Sequence, residues 1–286
     1  MSDPQQTIAF QGMPGAYSDL ACRHVHPEMT TLPCRTFDVA FAAAREGRAA
    51  LAMIPIENSV AGRVADIHRL LPASGLHIIA EHYHRVDLHL LAVKGATIAD
   101  LTHVHSHVHA LNQCRGLIRE LGVEPVVHAD TAGAAADMAR SGDRTQGAIA
   151  SDLACKTYGL ESLRANIEDD EHNTTRFLIM AREAAVPDPH SGPLITSFVF
   201  RVRNVPAALY KAMGGFATNG VNMTKLESYL VGGHFLAAQF YAEVEGHPKH
   251  PNLRLALEEL EFFSREVTTL GVYPAHPYRL EQGGDE

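Results

Sequence analysis

Ala50-Leu51-Ala52-Met53-Ile54-Pro55-Ile56 runs straight into Glu57-Asn58-Ser59, and the reading of that junction decides the fold. The first seven residues are almost continuously apolar, the signature of a strand buried on both faces in a parallel sheet. The three polar residues stand at its carboxyl end, and a helix through Val64, Ile67, Leu70 and Leu71 follows. The same succession occurs upstream. Thr7-Ile8-Ala9-Phe10 reads as a strand closed by Gly12, and residues 12–18 form a loop that opens a helix with Ser18 as N-cap. Residues 36–47 read as another helix. Repetition of strand, polar loop and helix makes the architecture α/β.

Downstream, residues 76–93 are strand-like, and a crossover into a second lobe is expected there. His103-Val104-His105-Ser106 reads as a short strand and residues 108–121 as one helix, with Leu111, Cys114, Leu117, Ile118 and Leu121 on its apolar face. Residues 124–129 and 146–150 read as strands, residues 131–140 as an Ala-rich helix, and Ser151-Asp152 as the cap of the next. The first domain (residues 1–181) is expected to be two-lobed and periplasmic-binding-protein-like. Lobe one takes about 7–80 plus 174–181, and lobe two about 81–173. Ligands in such sheets bind beyond the carboxyl ends of the strands, inside the cleft.

Residues 182–194, with three prolines and a glycine, read as a linker. Beyond it come a strand at 197–202 and a helix from Pro206 through Leu209, Met213 and Phe216. Strands at 223–230 and 234–243 join through Val231-Gly232-Gly233. A long amphipathic helix over 252–267 and a strand at 268–273 complete the domain. That βαββαβ order over residues 195–275 is ferredoxin-like, and residues 276–286 are expected to be a polar tail, disordered from Glu281.

The net charge of −9, with no basic block to offset it, argues against nucleic acid as a partner. Cys22, Cys34, Cys114 and Cys155 lack CxxC spacing and read as reduced thiols. The N-terminal Met-Ser-Asp-Pro-Gln-Gln lacks a signal-peptide pattern, and no apolar run is long enough to span a membrane. A soluble, cytoplasmic protein is expected.

Candidate chemistry gathers at Asn173-Thr174-Thr175-Arg176-Phe177, where two hydroxyls and a guanidinium precede an apolar run. That combination suits an anionic, oxygen-rich ligand; the plainer alternative is a solvated strand entry with Thr present for β-propensity. Loops at Ser18, Asn58-Ser59, Ser106 and Thr131 offer hydroxyls and unpaired N–H groups at helix N-termini, which suits carboxylates, although capping alone also accounts for each. His103, His105, His107 and His109 alternate, but no carboxylate or Cys completes a ligand set, so no metal is expected. His82, His84 and His89 are expected on an exposed strand face.

Several segments occur together and in order: Gly12-Met13-Pro14-Gly15-Ala16-Tyr17-Ser18, Pro55-Ile56-Glu57-Asn58-Ser59 with Gly62, Ser106-His107 with Ala110, Leu111, Gln113 and Cys114, Asp130-Thr131-Ala132-Gly133-Ala134-Ala135, and Thr175-Arg176-Phe177. From about Thr7 to Tyr273 the chain resembles the prephenate dehydratase family, in its monofunctional form with a C-terminal ACT regulatory domain. Val108 and His109 stand where the family pattern has Pro and Gln. The resemblance implies a carbon–oxygen lyase that converts prephenate to phenylpyruvate in L-phenylalanine biosynthesis, without metal or cofactor. It makes Thr175 the catalytic residue and puts Glu57, Asn58, Ser106 and Gln113 at substrate-placing positions. Ser18, Ser59, Thr131, Thr174 and Arg176 complete the expected binding set. Arg176, beside Thr175 on a strand, points to the opposite face, so a structural ion pair is as much expected of it as a carboxylate contact.

The second domain's resemblance implies L-phenylalanine as allosteric effector, near Ala208, Leu209, Asn222, Glu227 and Ser228, in a homodimer or homotetramer. Ala207-Ala208-Leu209-Tyr210 replaces the family's Gly-Ala-Leu-Val segment, and Glu227-Ser228-Tyr229-Leu230 its Glu-Ser-Arg-Pro. Arogenate, with an amino group in place of the keto group, is the alternative substrate. A non-catalytic amino-acid sensor is the alternative from another class.

Overall fold

The computed structural model describes residues 3–170, 172–203, 205–230 and 238–282. β1 (Thr7–Gln11), buried from Thr7 to Phe10, is followed by α1 (Tyr17–Val25), β2 (Thr30–Cys34), α2 (Phe37–Arg45) and β3 (Leu51–Asn58). β1 pairs in parallel with both β2 and β3. Glu57 and Asn58 therefore end a strand instead of starting a loop, and β4 (Gly62–Arg63) folds back antiparallel on those two residues. After α3 (Ala65–Leu70) comes β5 (His77–Arg85). The strand-like stretch at 76–93 breaks at 86–88, and β6 (His89–Ala92) begins a second sheet.

That second sheet is built from β6, β7 (His103–Ser106), β8 (Glu124–Val127), β9 (Gln146–Ala150) and β10 (Glu161–Arg164). Its strand order is β10-β6-β9-β7-β8, with β7 parallel to β8 and β9. Packed with it are α4 (Val108–Asn112), α5 (Arg115–Leu121), α6 (Thr131–Ser141) and α7 (Asp152–Tyr158). β11 (Thr174–Ala181) returns to the first sheet, whose order is β2-β1-β3-β11-β5.

A third sheet, β13-β14-β12-β15, carries β12 (Leu194–Val202), α8 (Ala208–Thr218), β13 (Met223–Leu230), β14 (Ala238–Glu245), α9 (Pro251–Phe263) and β15 (Ser264–Pro274). All its pairings are antiparallel. The element order is the βαββαβ expected from the sequence. Phe198 stacks on Phe216 and Phe200 on Phe240, over Leu253, Ala256 and Leu260 of α9. Each such buried aromatic contributes roughly 1.5–3 kcal/mol.

The fold divides into two compact units. Met1–Ala43, Arg48–Arg63 and Tyr83–Phe177 form one, and Ala44–Gly47, Val64–His82 and Leu178–Glu286 the other. Among the described residues no helix is long and apolar enough to cross a membrane. All four cysteines are free and buried, and burial pushes the Cys22 and Cys114 thiols well above the ordinary thiol range.

Several local expectations change. Ala16, not Ser18, occupies the N-cap of α1, because the helix starts one residue before Ser18. The helix expected over 108–121 is two, since Gln113 ends α4 and Cys114 leaves helical geometry (φ −127°, ψ 28°) before α5. His82 is buried, and His84 is half-buried with its pKa lowered by burial and by His24, so the exposed face expected of these residues is not there. The long helix stops at Phe263, and Ser264–Pro274 lengthens the final strand. Val231-Gly232-Gly233 and the beginning of the strand expected at 234–243 lie outside the described residues.

The segment expected to be a polar tail opens with α10 (Pro277–Gln282). From it Arg279 donates to both oxygens of Glu81 (2.7 and 2.9 Å) and to Glu243 (2.7 Å). Both carboxylates are fully buried, and Tyr241 donates to Glu243 as well. Removing one partner of a buried pair costs about 3–5 kcal/mol. Arg279→Gln should lower the thermal midpoint strongly in calorimetry.

Candidate functional site

Asn58 ends β3 beside β11, and its side chain sits in a fixed orientation. The Val60 and Ala61 backbone N–H groups donate to its Oδ1 at 3.0 and 2.8 Å. With the acceptor end so occupied, Nδ2 faces the other way. It donates to Asn173 Oδ1 (2.7 Å), Thr175 Oγ1 (3.0 Å) and the Thr174 carbonyl (3.3 Å). Asn173 is only 1% exposed and passes the chain on, its Nδ2 donating to Gln113 Oε1 at 2.6 Å. Ser59 pins the strand entry: its N–H donates to the Thr174 carbonyl, its hydroxyl to the His172 carbonyl, and the Thr174 N–H to its Oγ.

The consequence falls on Thr175. A hydroxyl has one proton and two lone pairs. Asn58 occupies a lone pair, so the half-buried Thr175 keeps its proton for another acceptor, and among the described residues none takes it. Donation from an amide N–H also stabilises negative charge developing on that oxygen, as in an oxyanion hole.

Arg176 goes to the other side of the strand. It is 2% exposed, its Nη1 donates to Glu57 Oε1 at 2.8 Å, and its guanidinium lies 5.9 Å from the centre of the Tyr83 ring. A cation so enclosed needs its carboxylate, and Glu57 supplies it from β3.

The other expected residues are less closely gathered. Ser106 is fully buried at the end of β7, and its hydroxyl donates to the Ile149 carbonyl at 2.6 Å, a tie between neighbouring strands. Thr131 is the first residue of α6, whose cap is Asp130, accepting from Gly133 N–H. Ser18 is buried within α1. None of these three has a described hydrogen bond to the Asn58–Thr175 chain. The loop before α1 is anchored instead by Ser151, whose hydroxyl donates to the Gly15 carbonyl, and by Tyr158, whose hydroxyl donates to that of Pro14. Gly15 has φ +89°, and a Cβ there would lie 2.7 Å from Ala154 Cα, so no other residue fits.

Among the expected effector residues, Ala208 and Leu209 open α8, and the Asn222 carbonyl accepts from Glu245 N–H. Glu227 and Ser228 lie on alternate faces of β13. Tyr229, where the family pattern has Arg, buries its phenol oxygen without a hydrogen-bond partner among the described residues, and burial pushes its pKa up. The histidines at 103–109 disperse. His103 Nε2 lies 3.6 Å from Glu124, His105 reaches Gln146, and the His107 and His109 rings face each other 5.1 Å apart.

Sequence reasoning missed Asn173 as a site residue. Asn is an ordinary residue in the turns that bound strands, so nothing local set it apart before Thr174-Thr175.

Residues 8–185 match the family model described as prephenate dehydratase. The chain belongs to the prephenate dehydratase family. A bifunctional N-acyl-homoserine lactone acylase/prephenate dehydratase of Komagataeibacter europaeus is 55% identical over 96% of this chain and 98% of its own. Arogenate dehydratase/prephenate dehydratase 1 of Arabidopsis thaliana is 37% identical, covering 95% of this chain and 73% of that protein. The crystal structure of prephenate dehydratase from Arthrobacter aurescens in complex with L-Phe superposes with a TM-score of 0.87 at 29% identity, over 94% of this chain and 90% of that one. Membership makes this chain a dehydratase-type enzyme of aromatic amino-acid biosynthesis.

Because Glu57 retains some contact with solvent, the Arg176 pair is worth less than a fully buried one. Glu57→Gln is expected to cost on the order of 2–3 kcal/mol in urea unfolding, with an unchanged m-value.

Proposed function

We propose that the chain catalyses the decarboxylating dehydration of prephenate to phenylpyruvate, with Thr175 as the proton donor. The carrying observation is the Asn58 amide, which donates to Thr175 Oγ1 and leaves the hydroxyl proton available. Prephenate carries two carboxylates and a ring hydroxyl. The ring carboxylate leaves as carbon dioxide, and its bonding pair enters the ring to make it aromatic. The hydroxide expelled from the opposite ring carbon takes the Thr175 proton and departs as water, and solvent reprotonates the threonine. A threonine hydroxyl is a weak acid; it suffices because aromatisation supplies driving force and Asn58 is already aimed at the oxygen that becomes negative.

In this reading Ser59, Thr174 and Gln113 set the backbone and amides around the reacting ring, and Glu57 with Arg176 holds the strand beneath it. Ser18, Ser106 and Thr131 remain candidates for carboxylate placement at the ends of their elements. The catalytic domain is residues 1–181, joined by the linker 182–194 to an ACT domain at 195–275. Its βαββαβ order and the L-Phe complex of the Arthrobacter relative support phenylalanine as the effector, at Ala208, Leu209, Asn222, Glu227 and Ser228. A homodimer or homotetramer in the cytoplasm is part of the same proposal.

The Arabidopsis relative's name favours arogenate as a further substrate. The Komagataeibacter relative's name favours an N-acyl-homoserine lactone acylase activity as a second reading.

Turnover of prephenate, arogenate and an acyl-homoserine lactone should be compared in wild type and Thr175→Ala. Loss of the proton donor is expected to cut kcat for prephenate about 10²- to 10⁴-fold, with Thr175→Ser retaining part of it. An unchanged rate in Thr175→Ala would refute the mechanism, and no activity on any substrate would leave the sensor. Saturating phenylalanine should lower turnover and raise the thermal midpoint; if it moves neither, the regulatory half is wrong.

A further inference from the structure

Away from the Asn58–Thr175 chain, a groove of about 360 Å³ lies between α4, α5 and β8. Its floor includes Leu111 and Ile118, and at its mouth Val108 and Val127 are 40% and 66% exposed. β8 is the edge strand of its sheet, and three of its four residues are exposed. Arg115 and Arg119 border the groove. Arg115 is held by Asn112, to whose Oδ1 its Nε and Nη2 donate at 3.2 and 2.7 Å, and Arg119 Nε donates to the Arg115 carbonyl. Neither has a carboxylate partner among the described residues. The nearest acidic neighbour in sequence, Glu120, pairs with Arg164 instead.

Both guanidinium groups are exposed and, among the described residues, form no ion pair, although Asp169 accepts from the Gly116 N–H next to Arg115. Beside an apolar floor they call for a ligand with an anionic head and an apolar body. We propose that this groove binds a medium-chain carboxylate, the chain lying over Leu111, Ile118 and Val127 and the head on Arg115 and Arg119. Guanidinium pairs with carboxylate bidentately, and the Asn112 contact holds the Arg115 fork before the ligand arrives. The volume falls in the range of about 300–1,000 Å³ usual for small-molecule sites. An anionic membrane surface fits less well, because the acidic chain as a whole is repelled by it. The inference rests on neither activity proposed above.

The test is calorimetric titration of the full-length chain with hexanoate, octanoate and decanoate below their micelle concentrations. Affinity should rise about two- to fourfold per added methylene, and decanol should bind about tenfold more weakly than decanoate. Arg115→Gln combined with Arg119→Gln should abolish the preference for decanoate over decanol while keeping the chain-length dependence. Val127→Asp should remove decanoate binding. Both variants should keep wild-type dehydratase turnover and thermal midpoint, which separates this proposal from failure of the catalytic reading or of folding. Absence of saturable binding, equal binding of decanol and decanoate, variants that bind like wild type, or preferential binding to anionic phospholipid vesicles would overturn it.

Discussion

A primary amide accepts at one end and donates at the other, and the backbone decides which way Asn58 presents them. Two N–H groups, from Val60 and Ala61, hold its oxygen; the nitrogen is thereby committed to Thr175 and Asn173. Those two N–H groups are in place because the chain turns sharply after β3 to form the short return strand β4. The turn sets the amide, and the amide sets what the threonine hydroxyl can still do. A register slip of one residue in β3 would send Asn58 to the opposite face and undo the whole series.

The opposite face of β11 explains why such a slip is unfavourable. Arg176 is enclosed there and must meet Glu57, which is one residue before Asn58. The pair on one side and the amide on the other lie on adjacent residues of both strands, so neither can move without displacing the other. The charge pair and the polar chain therefore specify one alignment of β3 against β11, even where the apolar residues of these strands would tolerate several.

Much of this was legible in the sequence because it follows from short-range rules. The apolar run before Glu57 announced a buried parallel strand, and the βαββαβ order followed from periodicity and from the proline-rich stretch before it. Strand alternation set Arg176 on the face opposite Thr175, with an ion pair as much expected as a carboxylate contact, and Glu57 supplies the pair. Less was legible where partners come from distant segments. Nothing local to Ser106 says that its hydroxyl will be taken by the carbonyl of Ile149, 43 residues away. Nothing around Asn173 names Gln113, 60 residues back. The break between α4 and α5 hides inside a regular apolar pattern, because Leu111 before it and Leu117 after it both face the core. α10 escaped because its order comes from one arginine meeting two carboxylates supplied by other strands, which composition reads as a polar end.

The four thiols add a consequence for the protein's tolerance of oxidants. Peroxide and disulfide reagents attack the exposed thiolate. Here every sulfur is shielded, and at Cys22 and Cys114 the protonated form is favoured far above neutral pH. The folded chain thus carries cysteine without carrying a redox handle. Its susceptibility to thiol-directed damage becomes a measure of how often it opens, not of its surface chemistry.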